Sequence, residues 1–343
     1  MKSEYIVLAG DIGGTNAKLG LGRYDGARVT LLARSVYPSR QQPSLEAAID
    51  VFLNEPAVAA AAHNVSGACF AAAGPVEDGV AQLTNLPWTI SEGALARHLR
   101  LSAVRVINDF AAAGVGISAL AASDLLTLQT GTAIEAAPRV IVGAGTGLGV
   151  AILLFQEGTY RVHASEAGHG DFAPGDAMQD ALGRYLRERL GHVSYERVVS
   201  GQGPPAIVEF LAATQACTPS RELTEAMAQG DAAQAITQFA LEDRDPVAVR
   251  ALDLFASAYG AFTGNMALTA LAYGGVFIAG GIAPKIASKL GDGTFMRAFR
   301  AKGRFEKLLE TIPVHVVMNE RVGLYGALLE AGRAAAAGGQ VDS

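Results

Sequence analysis

The chain has 343 residues, half of them apolar and 17% charged, with a net charge of -6; it is longer than one hydrophobic core supports, so two ordinary domains are expected and a disordered chain is excluded. It carries no long run of Lys or Arg and no stretch of about 18 consecutive apolar residues, so neither nucleic acid nor a membrane is an expected partner, and the cytoplasm is the expected compartment. The two cysteines, Cys69 and Cys217, lie far apart with no metal-ligand spacing and read as small apolar residues.

In chain order, Tyr5 to Gly10 reads as a buried strand that runs into the glycine-rich turn of "GDIGGTN". The residues after that turn are not helical: "AKLGLGRY" alternates, Asp25-Gly26 is a hairpin turn, and "ARVTLLARSVY" alternates again. A dinucleotide-binding fingerprint needs a helix directly after its glycines, so that reading fails here. A helix is expected near Ser44 to Ala62, then a strand in "SGACFAAAGPV". Next comes a helix announced by the capping-box spacing of Thr89 and Glu92. The strand "VRVIND" delivers Asn108 and Asp109 at its carboxyl end.

The opening design returns over residues 140–162, where "VIVGAGTGLGVAILLFQEGTYRV" gives strand, Gly/Thr turn, strand, Glu157-Gly158 turn and strand. Gly14-Thr15 and Gly145-Thr146 stand 131 positions apart, a candidate internal duplication, the alternative being chance likeness of two glycine turns. Duplication implies two related α/β lobes whose glycine turns are free to face one another across a cleft. Beyond Ala173 the chain reads as mostly helical, with a long apolar-rich segment from about Pro246 to Tyr273, short strands in "GVFIAGG" and "IPVHVVMN", and a last helix from about Gly323. The expected division is residues 1–109 plus about 320–343 as a small lobe and 110–319 as a large one.

The backbone N–H groups of a tight glycine turn can approach an anion closely because no Cβ intrudes, and Thr15 and Asn16 add side-chain donors; phosphate is the natural guest. Asp11, beside that turn, suits Mg²⁺, which takes carboxylate or carboxylate-held water together with phosphate oxygens. A hairpin with glycines at special angles explains the first turn equally well when it is taken alone, and the second turn, Gly143 to Gly149, tilts the balance toward two phosphate clamps. Gly280-Gly281 suits adenine or ribose lying against backbone, or simply a strand-to-helix turn. Asp109 can take a proton from a substrate hydroxyl during phosphoryl transfer, or cap a helix starting at Phe110. "SEAGHGDF" groups Glu166, His169 and Asp171, with Glu196 next in "HVSYERVVSG". Such a mix of donors and acceptors suits a polyhydroxylated sugar. A metal site is the rival reading, disfavoured because one His among hard oxygens with no cysteine does not suit zinc, and His169 as a structural histidine is a further alternative.

Together "GDIGGTNAK", "TNLPW", "INDFAA", "GAGTGLGVA", "EAGHGDFAP", "ERVVSGQG" and "GGVFIAGGIAPK" resemble, in order and spacing from about residue 5 to 330, the ATP-dependent bacterial glucokinases of the actin-like, hexokinase-related superfamily. The resemblance implies two actin-like, ribonuclease H-like α/β lobes with mixed sheets, flanking helices and a ligand cleft between them. It implies that Asp109 is the general base for the 6-hydroxyl of D-glucose, while Asn108, Glu166, His169 and Glu196 bind sugar hydroxyls. By the same resemblance Asp11 serves Mg²⁺, through water; Gly13, Gly14, Thr15 and Asn16, with Gly10, form one phosphate turn; Gly145, Thr146 and Gly147 form the other; and Gly280 and Gly281 match the adenosine segment. Two departures stand out: Ala167 occupies a position where the family often has glycine, and residues 220–245 match no motif. The related repressor and kinase group carries a Cys-rich zinc motif after its histidine, and this chain lacks those cysteines.

The reading is therefore a glucokinase that uses Mg²⁺ and ATP in the first step of glycolysis, with a homodimer as the default assembly. The alternatives are a kinase for mannose, fructose or an amino sugar, or a sugar-sensing regulator without chemistry. A chaperone ATPase of the same superfamily would need a separate substrate-binding domain.

Overall fold

The computed structural model describes residues 4–83, 86–214 and 217–338. Thr84 and Asn85 of the "TNLPW" motif lie outside the described residues. Two compact units emerge, residues 1–122 with 319–343, and residues 123–318.

The first unit opens with an antiparallel meander, β1 (Tyr5–Ile12), β2 (Asn16–Tyr24) and β3 (Val29–Pro38). Val7, Leu8 and Ala9 of β1 are wholly buried, whereas β3, at the sheet edge, alternates half-buried and exposed along its length, as its sequence does. The helix expected over Ser44 to Ala62 is two helices, α1 (Leu45–Leu53) and α2 (Pro56–Ala62). Pro56 has no N–H to give back to the preceding turn, so it starts a helix and cannot continue one.

β4 (Val65–Ala72) lies parallel to β1, and a small sheet is built from β5 (Val76–Glu77), β6 (Val80–Gln82) and β7 (Thr89–Ser91). Helix α3 (Glu92–Leu99) is capped by Ser91, whose hydroxyl accepts from Ala94 N at 3.5 Å. The capping box read at Thr89 and Glu92 is not formed, because Thr89 belongs to β7 and the Glu92 carboxylate accepts instead from Val106 N at 2.9 Å. That bond ties α3 to β8 (Val104–Asn108), which lies parallel to β4 and runs into α4 (Asp109–Gly116). The sheet order is β3, β2, β1, β4, β8.

The second unit repeats this plan. β10 (Arg139–Ala144), β11 (Leu148–Gln156) and β12 (Thr159–Ser165) form the meander, after β9 (Leu125–Gln129). Next come α5 (Ala177–Leu190), α6 (Tyr195–Val198), α7 (Gly203–Thr214), α8 (Arg221–Gln229), α9 (Ala232–Leu241) and α10 (Pro246–Ala270). β13 (Val276–Ala279) is parallel to β10; α11 (Ala287–Gly291), α12 (Thr294–Arg300) and α13 (Glu306–Thr311) lead to β14 (Val314–Val317), parallel to β13. The order β12, β11, β10, β13, β14 reproduces the first sheet strand for strand, with β9 added antiparallel at the edge of β14. A shared strand order of this kind is what a duplicated α/β lobe requires.

The long α10 carries the core of the second unit: Phe255, Tyr259 and Phe262 are at most 1% exposed, and Phe295 and Phe299 of α12 are fully buried. Each such ring contributes about 1.5–3 kcal/mol relative to exposure. The last helix, α14 (Val322–Gly338), returns to the first unit and packs on α4, β1 and β4. At the crossing with α4, a Cβ on Gly326 would lie 1.7 Å from the Ala112 carbonyl oxygen, so glycine is required. Because α4 is held by α14, the first unit runs to Ala122 and includes the helix that begins at Asp109, the residue at which the sequence suggested a boundary. Among the described residues no helix is long and apolar enough to cross a membrane.

Candidate functional site

In the first unit the glycine turn joins β1 to β2. Gly13 N donates to Asn16 O at 3.0 Å, and Ser39, fully buried, braces the turn from below: its N donates to Thr15 O at 2.9 Å and its Oγ to Gly13 O at 2.9 Å. With these carbonyls tied inward, the exposed Thr15 and Asn16 carry polar side chains at the rim. Ser39 was not singled out from sequence; its only signal is a serine just past the end of β3. Gly10 stands apart from the turn tip. It is buried, and a Cβ there would meet Phe70 Cδ1 at 2.8 Å and Ile12 Cδ1 at 2.9 Å, so packing within the sheet explains it.

Asp11 and Lys18 face each other across β1 and β2, and Lys18 Nζ donates to Asp11 Oδ2 at 3.1 Å. The carboxylate is 21% exposed and its Oδ1 has no partner among the described residues. Lys18 is a site residue that sequence reading passed over, and the alternation that places it opposite Asp11 was the available signal.

At the end of β8, Asn108 rather than Asp109 caps α4. Asn108 Oδ1 accepts from Phe110 N at 2.9 Å and Ala111 N at 3.0 Å, and Asn108 Nδ2 donates to Gly74 O at 3.0 Å. Most of the amide is thereby committed to structure, leaving one side-chain N–H for a ligand. Asp109 is the first helical residue and half-buried, with Oδ1 accepting from Phe110 N at 2.9 Å. The cap question left open by the sequence is thus resolved residue by residue.

In the second unit Gly145, Thr146 and Gly147 form the turn between β10 and β11, closed by Gly145 N donating to Gly147 O at 2.8 Å. Gly201 N donates to Gly145 O at 2.8 Å, and the fully buried Tyr259 hydroxyl accepts from Ala144 N at 3.2 Å, so the turn is braced from two helical segments. Burial pushes the Tyr259 phenol well up, keeping it a neutral hydrogen-bonding group.

The next strand pair positions the polar cluster. A 3₁₀ turn, Ala167–His169, is held by His169 N donating to Glu166 O at 3.0 Å, which puts Glu166 and His169 on one face at i and i+3 spacing. His169 Nε2 lies 3.8 Å from Glu166 Oε2, and Nδ1 lies 3.9 Å from Glu196 Oε1. These separations exceed hydrogen-bond length, so the three groups keep donor and acceptor capacity for hydroxyls set among them. Three of the sequence-read sugar residues are therefore brought together. Asp171 leaves the group and pairs with His192 at 2.8 Å. Ala167 does not have a positive φ, so alanine fits where the family often has glycine. Gly168 admits no such change, since a Cβ there would lie 2.0 Å from Leu148 O.

Glu196 joins cluster and turn. While Oε1 faces His169, Oε2 accepts from Leu148 N at 2.9 Å, and a Cβ on Gly147 would lie only 2.6 Å from Oε2. The same carboxylate thus serves the polar cluster and the root of the glycine turn.

Gly145, Thr146, Gly201 and Gly281 open onto a cavity of about 610 Å³, walled by α9 on one side and by Ile282 to Ile286 on another. Gly281 meets nothing within 4 Å, whereas Gly280, at φ +84°, sits so close to β10 that a Cβ would lie 2.4 Å from Ala144 O. Of this pair, Gly281 lines the cavity and Gly280 lets the strand ends approach. The unassigned run 220–245 folds as α8 and α9, and α9 supplies a cavity wall. Among the described residues no group of three or more His, Cys, Asp or Glu could hold a metal ion.

Comparison with known proteins covers nearly the whole chain. A family model described as Glucokinase matches residues 8–334. A glucokinase of Synechocystis sp. is 44% identical, over 93% of this chain and 96% of the relative, and one of Nostoc sp. is 42% identical, over 96% and 99%. The crystal structure of a glucokinase from an Antarctic psychrotroph superposes with a TM-score of 0.83 at 31% identity, covering 96% of this chain and 99% of that one.

Proposed function

From the premise that this chain belongs to the glucokinase family, we propose that it transfers the terminal phosphoryl group of ATP to the 6-hydroxyl of D-glucose, giving ADP and glucose 6-phosphate. The observation that carries the reading is the double placement of Glu196, one oxygen of which accepts from the root of a phosphate-type turn while the other faces His169 in a sugar-type cluster within the same unit. A structural ion pair would need only one of these contacts; a kinase needs acceptor and donor subsites in fixed register.

In this reading Asp109 takes the proton from the sugar hydroxyl as the phosphorus-oxygen bond forms, and it is well suited, being half-buried at a strand end with one oxygen already oriented by Phe110 N. Glu166, His169 and Glu196 orient the sugar hydroxyls, and Asn108 offers its remaining N–H. Gly13, Gly14, Thr15 and Asn16 take phosphate oxygens in the first unit, as Gly145, Thr146 and Gly147 do in the second. Mg²⁺ fits at Asp11, a partly exposed hard carboxylate with one oxygen unengaged among the described residues, and when bound it neutralises phosphate charge. Gly281 contributes to the nucleoside space. A cytoplasmic homodimer completes the proposal.

The test is a coupled assay of ATP consumption across glucose, mannose, fructose and amino sugars. Glucose should give the highest kcat/KM; a clear preference for another sugar overturns the substrate, and ADP formation with none of them overturns the enzyme.

A further inference from the structure

We propose that α9, in the segment that matches no family motif, selects the donor's base, and that Gln234 is the residue that distinguishes adenine from guanine; this rests on the ATP-dependent reading of the site. Location, chemistry and hydrogen-bond capacity each point there. The cavity of about 610 Å³ that begins at Gly145 and Thr146 is closed by the face of α9 bearing Gln234, Thr237, Gln238 and Leu241. That face repeats at helical spacing, so one helix presents all four groups to one occupant.

Among the described residues Lys285 is the only Lys or Arg lining the cavity, against the carboxylates of Asp231 and Glu242. Such a wall does not favour a polyphosphate chain and suits an uncharged ring. The floor is apolar: Leu252, Phe255 and Ile286 are at most 2% exposed, while Leu241 stands 41% exposed at the wall, an aliphatic surface that a planar base would cover.

The polar groups of the wall differ in what they have left to offer. Gln238 Nε2 is engaged with Glu242 Oε1 at 2.9 Å, and the Thr237 hydroxyl donates to Ala233 O at 2.7 Å. The Gln234 carboxamide has no partner among the described residues, and only its backbone N–H is used, donating to the Asp231 cap at 3.1 Å. A free carboxamide offers one donor and one acceptor side by side, which complements adenine N7 and its 6-amino group; guanine presents two acceptors on the same edge and is matched poorly.

The experiment measures dissociation constants for ADP and GDP by isothermal titration calorimetry, with Mg²⁺, on the wild-type chain and on Gln234→Ala. Position 234 lies on a helix where alanine is a better helix former, so folding is retained and a melting curve checks it. The wild-type protein should bind ADP more tightly than GDP, and Gln234→Ala should weaken ADP about tenfold while changing GDP by less than about twofold. An ADP to GDP ratio that stays within twofold of wild type, or a wild-type chain that does not distinguish the two, overturns the proposal. If the wild-type protein still phosphorylates glucose with ATP under either of those results, base selection by α9 alone is wrong; if it does not phosphorylate glucose, the kinase reading itself is wrong.

Discussion

Replacing Glu196 gives two separable effects, because each of its oxygens has a different partner. In Glu196→Ala, the N–H of Leu148, a residue only 4% exposed, loses a charged acceptor 2.9 Å away. A hydrogen bond to a charged group is worth about 1.5–3 kcal/mol. If half of that is expressed as misplacement of the glycine turn, KM for ATP rises roughly three- to twelvefold. The same change removes the carboxylate beside His169, so KM for glucose rises as well. Glu196→Gln keeps an acceptor for Leu148 N and lacks only the charge: ATP affinity should stay within about threefold of wild type while glucose affinity falls about tenfold, the difference between a charged and a neutral hydrogen bond to a sugar hydroxyl. The assay is steady-state kinetics with each substrate varied at saturation of the other, supported by calorimetric titration of glucose alone. Equal damage to ATP binding by both variants, or normal ATP binding in Glu196→Ala, would refute the claim that this carboxylate supports the turn.

Other parts of the structure give further expected outcomes. Asp109→Asn retains an acceptor for Phe110 N, so glucose binding measured by calorimetry should survive while kcat falls about 10²–10⁴-fold; near-normal turnover would remove Asp109 as the base. Asp245→Ala leaves Val247 N, Ala248 N and Ser220 N without their acceptor at a site 1% exposed, costing about 2–4 kcal/mol and lowering the melting temperature by roughly 5–15 °C in a thermal scan. Burial raises the Asp245 pKa, but hydrogen bonds from Ser220, Ala248 and Val247 outweigh it and hold the carboxyl below its ordinary 3.8. Its contribution is therefore complete above that value and is lost as pH falls through the lowered one, so in acid titration wild-type stability should fall more steeply with decreasing pH than that of Asp245→Ala. Gly280→Ala forces a side chain into φ +84° and against Ala144 O, and should cost at least about 1–3 kcal/mol by chemical denaturation.

The amino-acid sequence by itself determined the two meanders, their glycine turns and the carboxylate-bearing strand end, because alternation, turn chemistry and strand termini are set by neighbours a few residues apart. It also carried the family, since seven short motifs in order leave little freedom. The duplication, open at that level, is expressed in two sheets of the same strand order. What the tertiary structure decided depends on contacts between distant segments. Pro56 alone was a readable break; the failure of the Thr89 and Glu92 capping box was not, because Glu92 is claimed by Val106 from another strand. Likewise Ser39 braces a turn 26 residues earlier, and Asn108, held by Gly74, takes the cap that the sequence offered to Asp109 as the alternative to its role as a base. Gly280 and Gly281 look alike in sequence, yet packing gives one to the strand and leaves the other to the cavity. Residues 220–245 carry no motif because a helix wall is recognised by the face it presents, and only the surrounding fold fixes what that face meets.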